Sequence, residues 1–326
     1  MRLRGERDLL SASLPGRTST VRPSLAPLLL VTAAALWGTT GSSQQLLDGA
    51  VPSGVVGALR ILVGGVVLTL VASRELRGSR GSVRAAWPLL LATAVSVAAY
   101  QLAFFTGVRL VGIAVGTILT VGSAPFVAGV LSIMLGHHRP SRRWASTTLV
   151  AVIGLVLLVR PDGALRPPLP GVLAALAAGA AFAVYTVLAK QLMVRGVPRL
   201  TSVAVPFLLG GLLLVPTLVV GLARAEAPAQ LLAPRGLLIV GWLGIVATAV
   251  SYLLFSAGLR GVPAVTGTTL ALAEPLTAAL LGILVFGERL GTVALLGAAA
   301  VAAALVAAAA RPERDARPPA AVSAAG

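Results

Sequence analysis

One carboxylate stands in the middle of a long apolar run: Glu274, followed at once by Pro275, in LALAEPLTAALLGILVF. A charged side chain at that depth is costly and marks a functional site by default. It could exchange a proton or meet a cationic group on a solute. Pro275 has no backbone N–H, so it frees a carbonyl one turn earlier, near Ala271, and invites a kink. Arg60, in ALRILVGG, is the matching cation. Arg at a helix centre costs about 2.5–3.5 kcal/mol, so Arg60 is expected to face a cavity or a partner. Outward snorkelling would have to span about 12 Å of helix. A structural pair with Arg60 is the alternative role for Glu274, and the two roles are compatible.

Amides and aromatic rings stand near these charges. The run Trp37-Gly-Thr-Thr-Gly-Ser-Ser-Gln-Gln45 puts Trp37, Gly41 and Gln44 or Gln45 on one face at helical spacing. Contact between helices through small residues accounts for Gly38 and Gly41, but two buried amides need polar partners. Tyr100, Gln101, Phe104 and Phe105 form a polar-aromatic patch, with Phe182 and Tyr185, and Tyr252 and Phe255, in later segments. Aromatic walls carrying a few hydroxyls suit small amphipathic ligands, although ring packing within a bundle is the commoner outcome. His137 and His138 have no third ligand nearby and read as solvated loop residues.

Other chemistries find no support in the sequence. It contains no phosphate-cradling Gly-Lys-Ser/Thr run, no nucleophile–base or metal-protease signature and no cysteine. It therefore reads as a non-enzyme with no cofactor. The net charge of +16 would suggest nucleic acid in a soluble protein, but here the charges lie between apolar segments, so no nucleic-acid partner is expected.

The elements that position these residues are membrane-length helices. The chain is 57% apolar and only 11% charged, which places it among integral membrane proteins. About 20 apolar residues cross a bilayer core. The candidates are 26–47, 53–72, 86–107, 111–134, 145–159, 170–190, 201–222, 236–257, 262–286 and 291–310. The fold class is thus all-α integral membrane, with ten transmembrane helices.

The sequence also repeats itself at a distance of 150 residues. Phe105, Ala114, Val115, Pro125, Ala128, Leu131, Ile133 and Arg139 recur without a gap as Phe255, Ala264, Val265, Pro275, Ala278, Leu281, Ile283 and Arg289. Two units follow, 26–160 and 170–310. Five spans is an odd number, so the second unit enters from the other side and the repeat is inverted. In such proteins the solute site lies at the midplane between the units, and rocking alternates its access. Pro125, with Ala124 in place of Glu274, is then the counterpart of Pro275, and a kink in each half would suit a gate.

Basic residues orient the spans. With both termini cytoplasmic, 19 of the 26 Lys and Arg fall on the cytoplasmic side and six opposite, leaving Arg60 within a span. This is the bias of the positive-inside rule. Residues 1–25 and 311–326 read as disordered cytoplasmic tails, and Trp87, Trp144 and Trp242 as interfacial anchors.

These residues together resemble the drug/metabolite transporter superfamily, in particular its ten-helix family of paired EamA domains. The matching stretches are Trp37-Gly38, Arg60, Gln101-x-x-Phe104-Phe105-x-Gly107, Leu272-Ala-Glu-Pro-Leu276 and Phe286-Gly-Glu-Arg-Leu290. The resemblance runs from about 27 to 310. The first half departs from it, with Gly136-His-His-Arg139 where the family often has Gly-Glu-Arg, so His138 aligns with Glu288. The resemblance implies export of small metabolites, often amino acids or analogues, across the inner (plasma) membrane. It also implies that helices 1, 3, 4, 6, 8 and 9 surround the cavity and that 5 and 10 are peripheral.

The expected partners are a small-molecule solute and the lipid bilayer, with monomer and homodimer both open. Trp37, Gln44, Arg60, Tyr100, Gln101, Phe105, Pro125, Tyr185, Tyr252, Glu274 and Pro275 are the candidate binding or gating residues. A phosphorylated-metabolite or nucleotide-sugar carrier is the alternative, but it would call for more cavity Lys or Arg. A non-transporting scaffold is a further one, although it needs neither a mid-membrane carboxylate nor an inverted duplication.

Overall fold

A bilayer core offers no water to backbone N–H and C=O groups, so segments this apolar must satisfy them internally as helices. The computed structural model describes residues 25–45, 51–136, 139–159, 167–225, 228–287 and 289–310. Among these residues there are helices and no strands.

Among the described residues ten helices follow in order, nine long and apolar enough to cross a membrane and the first with a shorter apolar stretch, Ala26–Gly41. They are α1 (Ala26–Gln45), α2 (Ser53–Val71), α3 (Trp87–Val111), α4 (Ile113–Met134) and α5 (Arg142–Val159), then α6 (Leu169–Val194), α7 (Arg199–Ala223), α8 (Pro234–Leu259), α9 (Ala264–Phe286) and α10 (Thr292–Ala310). Two short helices, Ser73–Gly78 and Arg80–Ala85, join α2 to α3. Residues 1–24 and 311–326 of the expected tails, His137, His138 and Glu288 lie outside the described residues.

The packing has the symmetry of an inverted repeat. Helix α3 packs on α6 as α8 packs on α1, and α4 packs on α6 as α9 packs on α1. Likewise α3 meets α7 as α8 meets α2. The pairs α2–α7 and α5–α10 join equivalent helices of the two halves. The protein is therefore two five-helix units related by a pseudo-two-fold axis, the arrangement that puts a site between the halves.

The two halves differ in regularity. Helix α7 is interrupted at Leu214, just before Pro216. Helix α8 is wound as a π-helix over Trp242–Val250, where Thr248 Oγ1 donates to Leu243 O at 2.8 Å. Helix α9 is broken at Ala271 and Leu272, between Ala264–Leu270 and Ala273–Phe286.

Helix α4 departs from the expected symmetry, because it runs uninterrupted through Pro125. A Cβ on Gly179 of α6 would strike Ser123 Oγ and Thr120 O, so the two helices are in backbone contact there. Thr120 Oγ1 also donates to Ala175 O at 3.0 Å. This close packing lies just before the proline, and α4 continues unbroken past it.

Trp144 lies half-buried near the start of α5. Its indole donates to Val265 O at 3.3 Å and to Thr269 Oγ1 at 3.0 Å, tying α5 to α9. Trp87 is exposed at the start of α3. Trp242 is exposed too, but it donates to Thr39 Oγ1 at 3.0 Å.

Candidate solute site

The aromatic residues of five helices meet in one cluster. Trp37 of α1 is buried, with its ring centroid 4.9 Å from Tyr252 and 5.1 Å from Phe255. Phe182 of α6 meets it edge-on at 5.8 Å. Tyr185 contacts Tyr252 at 5.6 Å and Phe207 at 5.7 Å. Tyr100 of α3 stacks on Phe104 at 5.7 Å and reaches Phe182 at 6.0 Å. Edge-to-face and tilted pairs of this kind hold a rigid wall. The Tyr185 hydroxyl is buried without a partner, so the wall keeps an unused polar atom.

Trp37 Nε1 donates to Ser251 Oγ at 2.8 Å. Ser251 follows directly on the π-helical stretch of α8, and its hydroxyl in turn lies 2.8 Å from Ala247 O and 2.9 Å from Thr248 O. Wider winding changes which way the residues after it point, so the π-helix sets the direction of Ser251 and Tyr252.

Arg60 turns inward. It is only 8% exposed. Its Nη1 donates to Thr40 Oγ1 at 3.3 Å, and its Nη2 donates to Gln101 Oε1 at 3.2 Å. Gln101 Nε2 donates to Gly57 O at 2.9 Å, so the amide holds the guanidinium and is itself held. Arg60 Nε is buried without a partner. Neither guanidinium arm goes to Glu274, so the two charges form no ion pair.

Glu274 lies in the first turn of the second piece of α9, half-buried. The freed carbonyl expected near Ala271 is taken locally: Glu274 N–H donates to Ala271 O at 3.0 Å, and Leu272 N–H to Thr269 O at 3.1 Å. These short-range bonds close the break that Pro275 imposes. Helix α1 passes very close by. A Cβ on Gly38 would stand 2.6 Å from Glu274 O and 2.7 Å from Thr277 Cβ. Only glycine admits that approach, and it places Glu274 one residue along α1 from Trp37.

The structure thus brings Trp37, Arg60, Tyr100, Gln101, Tyr185, Tyr252 and Glu274 to the interior between the halves. Phe105 packs on the α2 side, against Gly57. Pro125 sits on the α4–α6 seam. Gln44 belongs to α1, but its side chain lies outside the described residues. Three contributors were missed from the sequence. Ser251 and Thr40 sit among many Ser and Thr with nothing to mark them. Phe207 follows a proline in an otherwise apolar span.

Polar contacts join the helix ends on one face of the bundle. Lys190 Nζ donates to Leu259 O and Val262 O, each at 2.9 Å, joining the end of α6 to the end of α8. Arg199 Nη1 donates to Leu253 O at 3.0 Å and to Ser256 Oγ at 3.1 Å. Glu75 Oε1 accepts Thr201 N–H at 2.8 Å at the start of α7. A carboxylate at a helix N-terminus and cations at a helix C-terminus both suit the helix dipole.

This arrangement of two five-helix halves has counterparts among known proteins. The EamA-like transporter family matches residues 24–160 and again 169–309. The chain belongs to the EamA-like transporter family. An uncharacterized transporter of Bacillus subtilis, YwfM, is 40% identical over 296 residues, covering 90% of this chain and 97% of the relative. An uncharacterized protein of Pseudomonas aeruginosa is 30% identical over 287 residues, covering 84% and 93%. A solved crystal structure shares the fold at a TM-score of 0.73 and 22% identity, over 87% of this chain and 96% of that one. As an EamA protein the chain is a multi-pass membrane transporter, with one family unit in each half.

Proposed function

We infer that this EamA protein exports small organic metabolites, amino acids or their analogues, by alternating access, with a proton exchanged at Glu274. The observation that carries the reading is an unpaired carboxyl group at a helix break, in backbone contact with the helix that bears Trp37. Glu274 has no ion-pair partner among the described residues, so it is available to an ammonium group or a proton. Arg60 keeps Nε as a donor for a solute carboxylate. The aromatic wall supplies π-faces for a cation and apolar area for a side chain. A zwitterion uses all three.

In this cycle the solute's ammonium displaces the proton from Glu274, and the halves then rock about the site. The ties of Lys190 and Arg199 belong to the state closed on the cytoplasmic side, with both termini in the cytoplasm and the protein in the inner (plasma) membrane. The basic-residue bias supports that orientation.

The test uses the purified protein in proteoliposomes loaded with a panel of labelled amino acids, with and without a pH gradient. Efflux that rises with the gradient in the wild type and loses that dependence in Glu274→Gln is the expected result. Unchanged pH dependence in Glu274→Gln sinks the proton role. Failure of the wild type to release any amino acid sinks the solute class.

A further inference from the structure

A groove of about 610 Å³ lies between α2, α3 and α7, on the face opposite the polar ties, and reaches Gln101 and Phe105 at its inner end. Two cations line it. Arg109 lies two residues before the end of α3, and Arg224 directly follows α7. Both are exposed, and neither has a hydrogen-bond or ion-pair partner among the described residues. Ser53 and Gly54, the first residues of α2, lie in the same lining and offer the positive end of that helix.

Further in, the groove is apolar, walled by Leu102, Phe105, Leu214 and Val220. From Arg109 to Gln101 is about 12 Å along α3, and from Arg224 to Leu214 about 15 Å along α7, at 1.5 Å per residue. That depth is about half of a 30 Å hydrocarbon core. Leu102 and Val220 are half exposed, so the groove opens sideways toward the bilayer.

We propose that this groove seats one anionic phospholipid from the leaflet on that face. Its phosphate lies with Arg109, Arg224 and the start of α2, and one acyl chain runs down the slot toward Gln101. The two arginines at headgroup depth select the negative charge. A free inorganic anion would leave the apolar slot unused, and a zwitterionic lipid would leave the cations without a net countercharge. The chain end meets Gln101, the residue that holds Arg60, so the lipid reaches the edge of the solute site.

The test is native mass spectrometry of the full-length protein released from nanodiscs of equal phosphatidylglycerol and phosphatidylcholine. The wild type should retain phosphatidylglycerol about thirtyfold over phosphatidylcholine, the enrichment expected from two basic residues at a membrane surface. Arg109→Gln with Arg224→Gln should return the ratio to near one. Val220→Trp, which fills the slot and keeps both cations, should lower total retained lipid. Arg80→Gln with Arg84→Gln, on the other face, should change neither. The proposal is overturned by a wild type without enrichment, by a double variant that keeps it, or by displacement of the lipid with millimolar glycerol phosphate.

Discussion

Trp37 of the first half and Ser251 of the second are joined by a hydrogen bond of 2.8 Å that crosses the interface between the repeats. The sequence places them 214 residues apart. The bond forms because the π-helical winding of α8 delivers Ser251 to the face that α1 presents. Trp37→Phe keeps the ring contacts and removes the donor. It should cost about 1 kcal/mol in detergent unfolding, the usual worth of one hydrogen bond. Ser251→Ala should cost a similar amount and the double variant no more than either. Additive losses would show that the bond carries no coupling.

Arg60 depends on Gln101. Gln101→Leu leaves the guanidinium with Thr40 as its remaining partner, in a buried setting. Losing a hydrogen bond to a buried charged group costs about 1.5–3 kcal/mol, so this variant should unfold before the wild type in a thermal scan. Gln101→Glu keeps an acceptor and should recover most of the loss. Equal stability of Leu and Glu at this position would refute the arrangement.

Gly38 and Gly41 lie three residues apart on α1 with opposite surroundings. A Cβ at Gly38 meets Glu274 O at 2.6 Å, whereas one at Gly41 meets nothing within 4 Å. Gly38→Ala should therefore cost about 1–3 kcal/mol by overpacking, and Gly41→Ala should be neutral or slightly stabilising. Unfolding midpoints of the two variants, measured side by side, decide this.

Pro275 keeps α9 broken, while Pro125 sits in an unbroken helix. Pro275→Ala restores an N–H that can reach Ala271 O. Hydrogen exchange across 268–276 should slow as the helix heals, and solute efflux should fall. Pro125→Ala should leave exchange in α4 nearly as it was. A matching change in both helices would contradict the asymmetry.

Lys190 ties the end of α6 to carbonyls at the end of α8, a contact expected to hold that face closed. The chain has no cysteine, so one engineered thiol reports access cleanly. Thr186→Cys, one turn before Lys190 on α6 and buried, should react slowly with a water-soluble maleimide. Adding Lys190→Met should raise that rate several-fold. No change in rate would mean that the tie does not hold the face shut.

The amino-acid sequence by itself determined the membrane class, the ten spans, the inverted duplication and the identity of the two buried charges. Each of these follows from local composition or spacing: a bilayer accepts only long apolar helices, and a charge within one is conspicuous. The direction in which each side chain points was decided by the tertiary structure alone. Lipid and protein interior are equally apolar, so these helices carry almost no amphipathic stripe to show which face is inside. Hence the pairing of Arg60 with Gln101 rather than Glu274, the entry of Phe207 and Ser251 into the aromatic wall, and the inward tie of Trp144 were not legible. The twin prolines were equally silent about their different outcomes: α4 packs against Gly179 just before its proline and continues past it, whereas in α9 Glu274 N–H takes the carbonyl at the break.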